Sequence, residues 1–189
     1  ITRSEVGKWS PPCYDLLIGS NTIYDKFFYF FSISNILLHC RSALTKRLSL
    51  TYKDTIINNI NSATPCLFIN GRVLPTQNLV NSIYTLIESS EKNSNICLTY
   101  DNQVVAAYFQ QDYIDFFYNM LVAFASFEDM IKECRNKTIM KELNDVRLLT
   151  TSTDFLEWNN KILEEDFQLI KSTGIVKGIA QPFASIQNE

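Results

Sequence analysis

The sequence predicts an α/β fold, a mixed sheet flanked by helices, and three observations carry that prediction. Short apolar runs of strand length stand at residues 36–40 and at Cys66–Ile69, the second ended by the turn signal Asn70-Gly71. Directly after it, Leu79, Val80, Ile83, Leu86 and Ile87 recur at helical spacing. Ile96–Tyr100 and residues 104–109 then flank Asp101-Asn102-Gln103 and read as a hairpin, so part of the sheet is antiparallel.

The remaining elements follow in order. Gly7, Ser10, Pro11 and Pro12 favour loop or extended backbone at the start. A helix is expected over about residues 21–31, with Ser20 or Asn21 as N-cap. The most apolar stretch, residues 27–38, is too short for the about 20 residues a bilayer demands, and it reads as the end of a buried helix followed by a buried strand. Residues 41–61 suit either a helix or a loop with a short helix. Pro75-Thr76 opens the helix that carries Leu79, Val80, Ile83, Leu86 and Ile87. From 112 to 135, Tyr113, Phe116, Phe117, Met120, Leu121, Phe124, Phe127 and Ile131 keep a helical period and are expected to be core. Ser152 or Thr153 caps a last helix in which Leu156, Leu163, Phe167 and Ile170 share a face, and the chain is irregular after Gly174. No internal repeat or linker interrupts it.

Composition narrows the class. With 189 residues the chain has the size of one domain with its own core. A net charge of −3 and a pI near 5.3 argue against a nucleic-acid binder, which normally carries a basic face. Arg41, Lys46, Arg47 and Lys53 read as a solvated helix face. The five cysteines are far apart, no C-x-x-C occurs and there is one histidine, so reduced, mostly buried cysteines and a cytoplasmic location are expected, without a zinc site. No signal peptide and no membrane span are evident.

Four segments in order resemble one bacterial family. These are Pro12-Cys-Tyr-Asp15 through Gly19 to Lys26, then Leu67-Phe-Ile-Asn-Gly-Arg-Val-Leu-Pro75, then Asp101-Asn-Gln-Val-Val-Ala-Ala-Tyr108, and finally Asp154 through Asn159 to Asp166-Phe167. Together they are similar to the N-terminal domain of the bacterial sugar-nucleotidyltransferase-like proteins, the N-acetylglucosamine-1-phosphate uridyltransferase-like kind that is normally followed by a left-handed β-helix. The resemblance implies a Rossmann-type nucleotidyltransferase sheet and a single domain over 1–189, which as a fragment would lack the family's first strand and its β-helix. It also implies joining a sugar 1-phosphate to a nucleoside triphosphate with release of pyrophosphate. That chemistry needs backbone donors, a cation and Mg²⁺ around the phosphates rather than a covalent nucleophile.

The residues that the resemblance places at a substrate or phosphate site are Asp15, Gly19, Asn70, Gly71, Arg72 and Asn159. The wider superfamily has a lysine where Cys13 stands, near relatives an arginine where Leu17 stands, and the Mg²⁺-binding aspartate is replaced by the Arg72 segment. Arginine cannot ligate a metal, although it binds phosphate bidentately. Each residue also has a plainer reading. Asn70-Gly71 suits a type I′ or II′ turn, and Asp15 suits a turn or cap. Asn159 suits a core or capping hydrogen bond beside Leu156 and Leu163. Lys26 and the Glu164-Glu165-Asp166 run suit solvated helix faces, and His39 a satisfied buried histidine. Two functions therefore stand side by side: a sugar-phosphate nucleotidyltransferase-like domain, with Mg²⁺ if active and a nucleotide or sugar phosphate as ligand, or a catalytically degenerate module that binds a protein partner or its own copy.

Overall fold

A computed structural model of the protein describes residues 11–31, 36–60, 64–90, 94–122, 132–133 and 137–173, the last four of these as backbone only. A hairpin opens it, β1 (Leu17–Ile18) paired antiparallel with β2 (Asn21–Thr22), and leads into α1 (Ile23–Phe31). Gly19 turns the hairpin at φ +65, a conformation that glycine adopts at little cost. Because β2 takes Asn21, the helix cap falls one residue later than expected. Thr22 Oγ1 accepts the Asp25 N–H, and the Asp25 carboxylate accepts the Thr22 N–H and hydroxyl, a reciprocal capping box.

β3 (Leu37–Leu38) is shorter than the predicted run and pairs parallel with β4 (Ile56–Ile57), a strand that the sequence reading left unassigned. Between them, the ambiguous segment forms a 3₁₀ turn and α2 (Thr45–Thr51). Asn58 closes this unit at φ 54: its side chain accepts the Cys40 N–H and donates to Thr45 Oγ1.

The main sheet has four strands in the order Cys66–Ile69, Gln103–Phe109, Ile96–Tyr100, Ile139–Glu142. β5 (Cys66–Ile69) and β7 (Ile96–Tyr100) both run antiparallel to β8 (Gln103–Phe109), while β9 (Ile139–Glu142) is parallel to β7. The predicted hairpin is present, with a loop one residue shorter than expected: Gln103 joins β8, and Asp101 and Asn102, both at positive φ, form a two-residue loop. β6 (Val73–Leu74) pairs with β10 (Arg147–Leu148). The helix α3 (Gln77–Glu88) is capped by Thr76 and buries Leu79, Val80 and Ile83, as its periodicity requires. On the opposite face α4 (Gln111–Val122) buries Ile114 and Phe117 against Phe68 and Phe109. Phe124, Phe127 and Ile131 lie outside the described residues.

The last helix, α5 (Ser152–Thr173), departs from the prediction in two ways. Its cap is Thr151, whose hydroxyl accepts the Asp154 N–H while Asp154 accepts the Thr150 and Thr151 N–H groups. Its buried side carries Phe155, Trp158 and Ile162. Leu156, Leu163 and Phe167 are exposed at 67%, 50% and 63%. Two apolar stripes share this helix, and the sequence reading took the outward one for the core side; the Ile170 side chain lies outside the described residues. Among the described residues no helix is long and apolar enough to cross a membrane.

Candidate functional site

The predicted site residues fall into two groups that face different neighbours. The first surrounds the β1–β2 turn. The Gly19 N–H donates to Asn159 Oδ1 at 2.8 Å, so Asn159 sits on the inward side of α5 rather than beside Leu156 and Leu163. Two turns further along, Asp166 accepts from the Ser20 N–H and hydroxyl, both at 2.8 Å. Lys26 reaches the same carboxylate from α1 at 2.6 and 2.7 Å. Lys26 is 7% exposed, so it is a buried paired charge and not the solvated helix charge the sequence suggested. A Cβ on Gly19 would strike the Asp166 carboxylate and lie 2.7 Å from Ile162 Cγ2. Glycine is therefore required here both by φ and by space.

The ion pair was missed because a lone lysine in a helix is usually solvated. Two signals pointed to it. Lys26 lies three residues after Ile23, on the face that α1 buries, and Asp166 lies one helical turn past Ile162 and two past Asn159. The acidic run also divides: Glu165 takes both guanidinium nitrogens of Arg147 at 2.7 and 2.8 Å, and that pair holds the Arg147 pKa above its ordinary value.

The second group lies at the carboxyl end of β5. The Val73 N–H donates to the Asn70 carbonyl at 2.9 Å, closing a turn over Gly71 and Arg72. Neither turn residue has positive φ, so this is not the primed turn expected from Asn-Gly. Glycine is favoured at 71 for another reason: a Cβ there would lie 2.9 Å from Tyr14 Cδ1, so the ring would have to shift. Asn70 is spent on the turn itself, its amide donating to the Val104 carbonyl and its Oδ1 accepting the Arg72 N–H. Arg72 donates one nitrogen to Gln103 Oε1 at 2.7 Å and is partly exposed.

Tyr14 joins this turn to the end of β3, donating to the His39 carbonyl at 3.2 Å. Next to it, Asp15 accepts from Arg47 at 2.8 Å and from the Tyr52 hydroxyl at 2.7 Å. Arg47 stays exposed, as the predicted solvated basic face requires, while its guanidinium end reaches Asp15. His39 itself is exposed rather than buried, its ring edge-on to Tyr118 at 5.7 Å.

The electrostatics leave little for proton chemistry. Burial, reinforced by Asp15, pushes the Tyr52 hydroxyl above its ordinary range, and burial with Cys40 and Asp15 does the same for Tyr14. Burial raises the Cys66 thiol, and desolvation of the part of the His39 ring turned onto the protein lowers His39, so neither a thiolate nor an imidazolium is favoured near neutral pH. Cys40 and Cys97 are buried and Cys13 and Cys66 half-buried, all four as thiols.

The donor set does not fit a protein-held Mg²⁺. Such an ion is normally anchored by one or two available carboxylates. Here Asp15 is committed to Arg47 and Tyr52, Asp166 to Lys26 and Ser20, and the turn offers a guanidinium. Among the described residues no three His, Cys, Asp or Glu side chains gather as a metal site. What the arrangement can do is hold an anion, since Arg72 has donors left, among the described residues, after its bond to Gln103.

Comparison with known proteins agrees with this architecture. No curated protein sequence matches the chain. Among solved structures, a Bacillus anthracis protein assigned as a glucose-1-phosphate thymidylyltransferase, determined with sucrose, matches at a TM-score of 0.56 and 8% identity, over 85% of this chain and 90% of that one. The 4-diphosphocytidyl-2C-methyl-D-erythritol synthase of Anaerococcus prevotii matches at 0.49 and 12%, over 79% and 92%. The first likeness establishes the fold, a mixed nucleotidyltransferase-type sheet flanked by helices. The family model described as sugar nucleotidyl transferase matches residues 9–174, which contain the hairpin lock, the Asn-Gly-Arg turn and α5, and the chain therefore belongs to the sugar nucleotidyl transferase family.

Proposed function

We propose that this domain binds the phosphates of a nucleoside triphosphate or a sugar 1-phosphate at the carboxyl end of β5, with Arg72 as the phosphate ligand. The observation that carries the proposal is the Asn-Gly-Arg turn, which presents a partly exposed guanidinium at that strand end, held by one hydrogen bond to Gln103. In open α/β sheets, ligands gather in the crevice outside the carboxyl ends of the strands. The resemblance of the four segments to N-acetylglucosamine-1-phosphate uridyltransferase-like proteins selects UTP and N-acetylglucosamine 1-phosphate as first ligands to try. Any Mg²⁺ in the bound state arrives with the nucleotide, since the carboxylates nearest in sequence to the motifs are already paired.

A second reading, a degenerate structural module, is favoured by Cys13 in the lysine position and by Asp15, Asn70, Asn159 and Asp166 all being tied into framework bonds. One experiment separates the two. Calorimetric titration with UTP and with N-acetylglucosamine 1-phosphate, together with a pyrophosphate-release assay, is run on the native chain and on Arg72→Ala. Ligand binding that falls about tenfold in Arg72→Ala, with the melting temperature retained, supports the phosphate site. No heat from either ligand and no pyrophosphate assigns the chain to the structural reading.

A further inference from the structure

Strand β8 changes face partway along. Ala107 lies in the cluster under α4 and Ala106 in the cluster under α3, as alternation requires. Val105 then stays with Ala106, and Val104 returns to the α4 side. The pairing with β7 gives the reason: Leu98 stands opposite Ala106 and Thr99 opposite Val104, so Val105 is an extra residue, a β-bulge. The bulge re-phases what precedes it in the chain. Gln103, paired with Tyr100, comes out on the α3 side, where Val73 is buried, instead of on the α4 side.

The Asn-Gly-Arg turn is fastened along this same stretch. The Asn70 N–H donates to the Val105 carbonyl and the Asn70 side-chain amide to the Val104 carbonyl, both at 2.9 Å. Two residues on, Arg72 donates to Gln103 Oε1 at 2.7 Å. Turn and bulge therefore run side by side over three consecutive residues of β8, and Gln103 is the one that meets the guanidinium.

What Gln103 offers is a neutral acceptor. Arg47 pairs with Asp15 at 2.8 Å and Arg147 with Glu165 at 2.7 Å, so both find their counter-charge within the chain. Among the described residues no carboxylate pairs with Arg72, although it is partly buried. A carboxylate at 103 would take the guanidinium bidentately and neutralise it, whereas an amide oxygen fixes its direction and leaves its charge. We infer that Gln103 is a positioning residue for phosphate binding: delivered by the bulge, it aims Arg72 and leaves the counter-charge to the ligand. The inference rests on the phosphate-site reading and adds to it the requirement for a neutral acceptor at 103.

UTP and N-acetylglucosamine 1-phosphate are titrated into the native chain, Arg72→Ala, Gln103→Glu and Gln103→Met, and each melting temperature is measured. Gln103→Glu keeps the length and the acceptor, so its melting temperature is expected to hold or rise while affinity falls about tenfold, as far as in Arg72→Ala. Gln103→Met removes the acceptor and leaves the charge, and affinity is expected to fall about fivefold, the cost of ordering the guanidinium on binding. Binding lost without stability lost is a signature that a purely structural glutamine would not give. If Arg72→Ala weakens binding and neither Gln103 variant does, the inference fails and the phosphate site stands. It fails in the same way if both Gln103 variants lose melting temperature in step with binding. No binding by the native chain, or binding untouched by Arg72→Ala, removes the phosphate site and the inference together.

Discussion

The β1–β2 turn and the Asn-Gly-Arg turn have the same pedigree, both being glycine-containing motifs by which the family is recognised, but the structure uses them differently. At the first, glycine makes room for a carboxylate: Ser20 and Lys26 converge on Asp166 while the Gly19 N–H reaches Asn159, so the turn is tied to α5. At the second, glycine makes room for a ring, and the charged residue beside it is left partly exposed. A buried, fully partnered cluster stabilises the fold, while a partly exposed cation with free donors is available to a ligand. Motif membership alone does not separate these roles; burial and the partner list do.

The comparison can be broken most forcefully at Lys26. Lys26→Met leaves Asp166 partly buried without its cation and is expected to cost about 4 kcal/mol, measured by urea denaturation. The double variant Lys26→Met with Asp166→Leu should recover most of that loss. If the single variant costs under about 1 kcal/mol, the lock is not a structural element and the contrast fails.

Gly19→Ala comes next. A methyl group at φ +65 that meets Asp166 and Ile162 is expected to cost about 3 kcal/mol by the same assay. Gly71→Ala sharpens the contrast from the other side. Its backbone is unstrained and only the Tyr14 ring edge must yield, so about 1 kcal/mol is expected, with a change in Tyr14 fluorescence or ring chemical shifts. Equal losses in the two glycine variants would erase the distinction.

The smallest effect is electrostatic. The Thr150 hydroxyl, ahead of the backbone N–H groups of Thr151 and Thr150, holds the Asp154 carboxyl well below its ordinary value of 3.8. A depressed carboxylate pKa stabilises the folded chain above that ordinary value, and the contribution fades as pH falls toward the folded pKa. Thr150→Val removes the hydroxyl while keeping the backbone donors, so the Asp154 titration followed by NMR should move upward toward 3.8. An unmoved titration would show that the backbone N–H groups alone set it.

Much of the fold was legible along the chain. The strand Cys66–Ile69, the α3 periodicity and the hairpin at Asp101-Asn102 were placed correctly because each is specified by neighbours a few residues apart: an apolar run, a 3.6-residue repeat, a two-residue turn. The cap shifts at Thr22 and Thr151 are one-residue errors among several adjacent residues able to cap. α5 was harder, because both of its stripes are apolar and nothing local says which one meets the hairpin.

The candidate site was legible as a set of residues and illegible as a set of roles. By itself the sequence determined the α/β order of elements, the apolar stripes, the acidic balance and the family, since these depend on composition and short-range pattern. Only the tertiary structure decided that Lys26 is buried, that Asn159 and Asp166 face Gly19, that Asp15 is claimed by Arg47 and Tyr52, and that Arg72 keeps donors to spare. The physical reason is distance along the chain. Lys26 and Asp166 are 140 residues apart, and a charge's partner is set by which surfaces pack together, a choice no local pattern records.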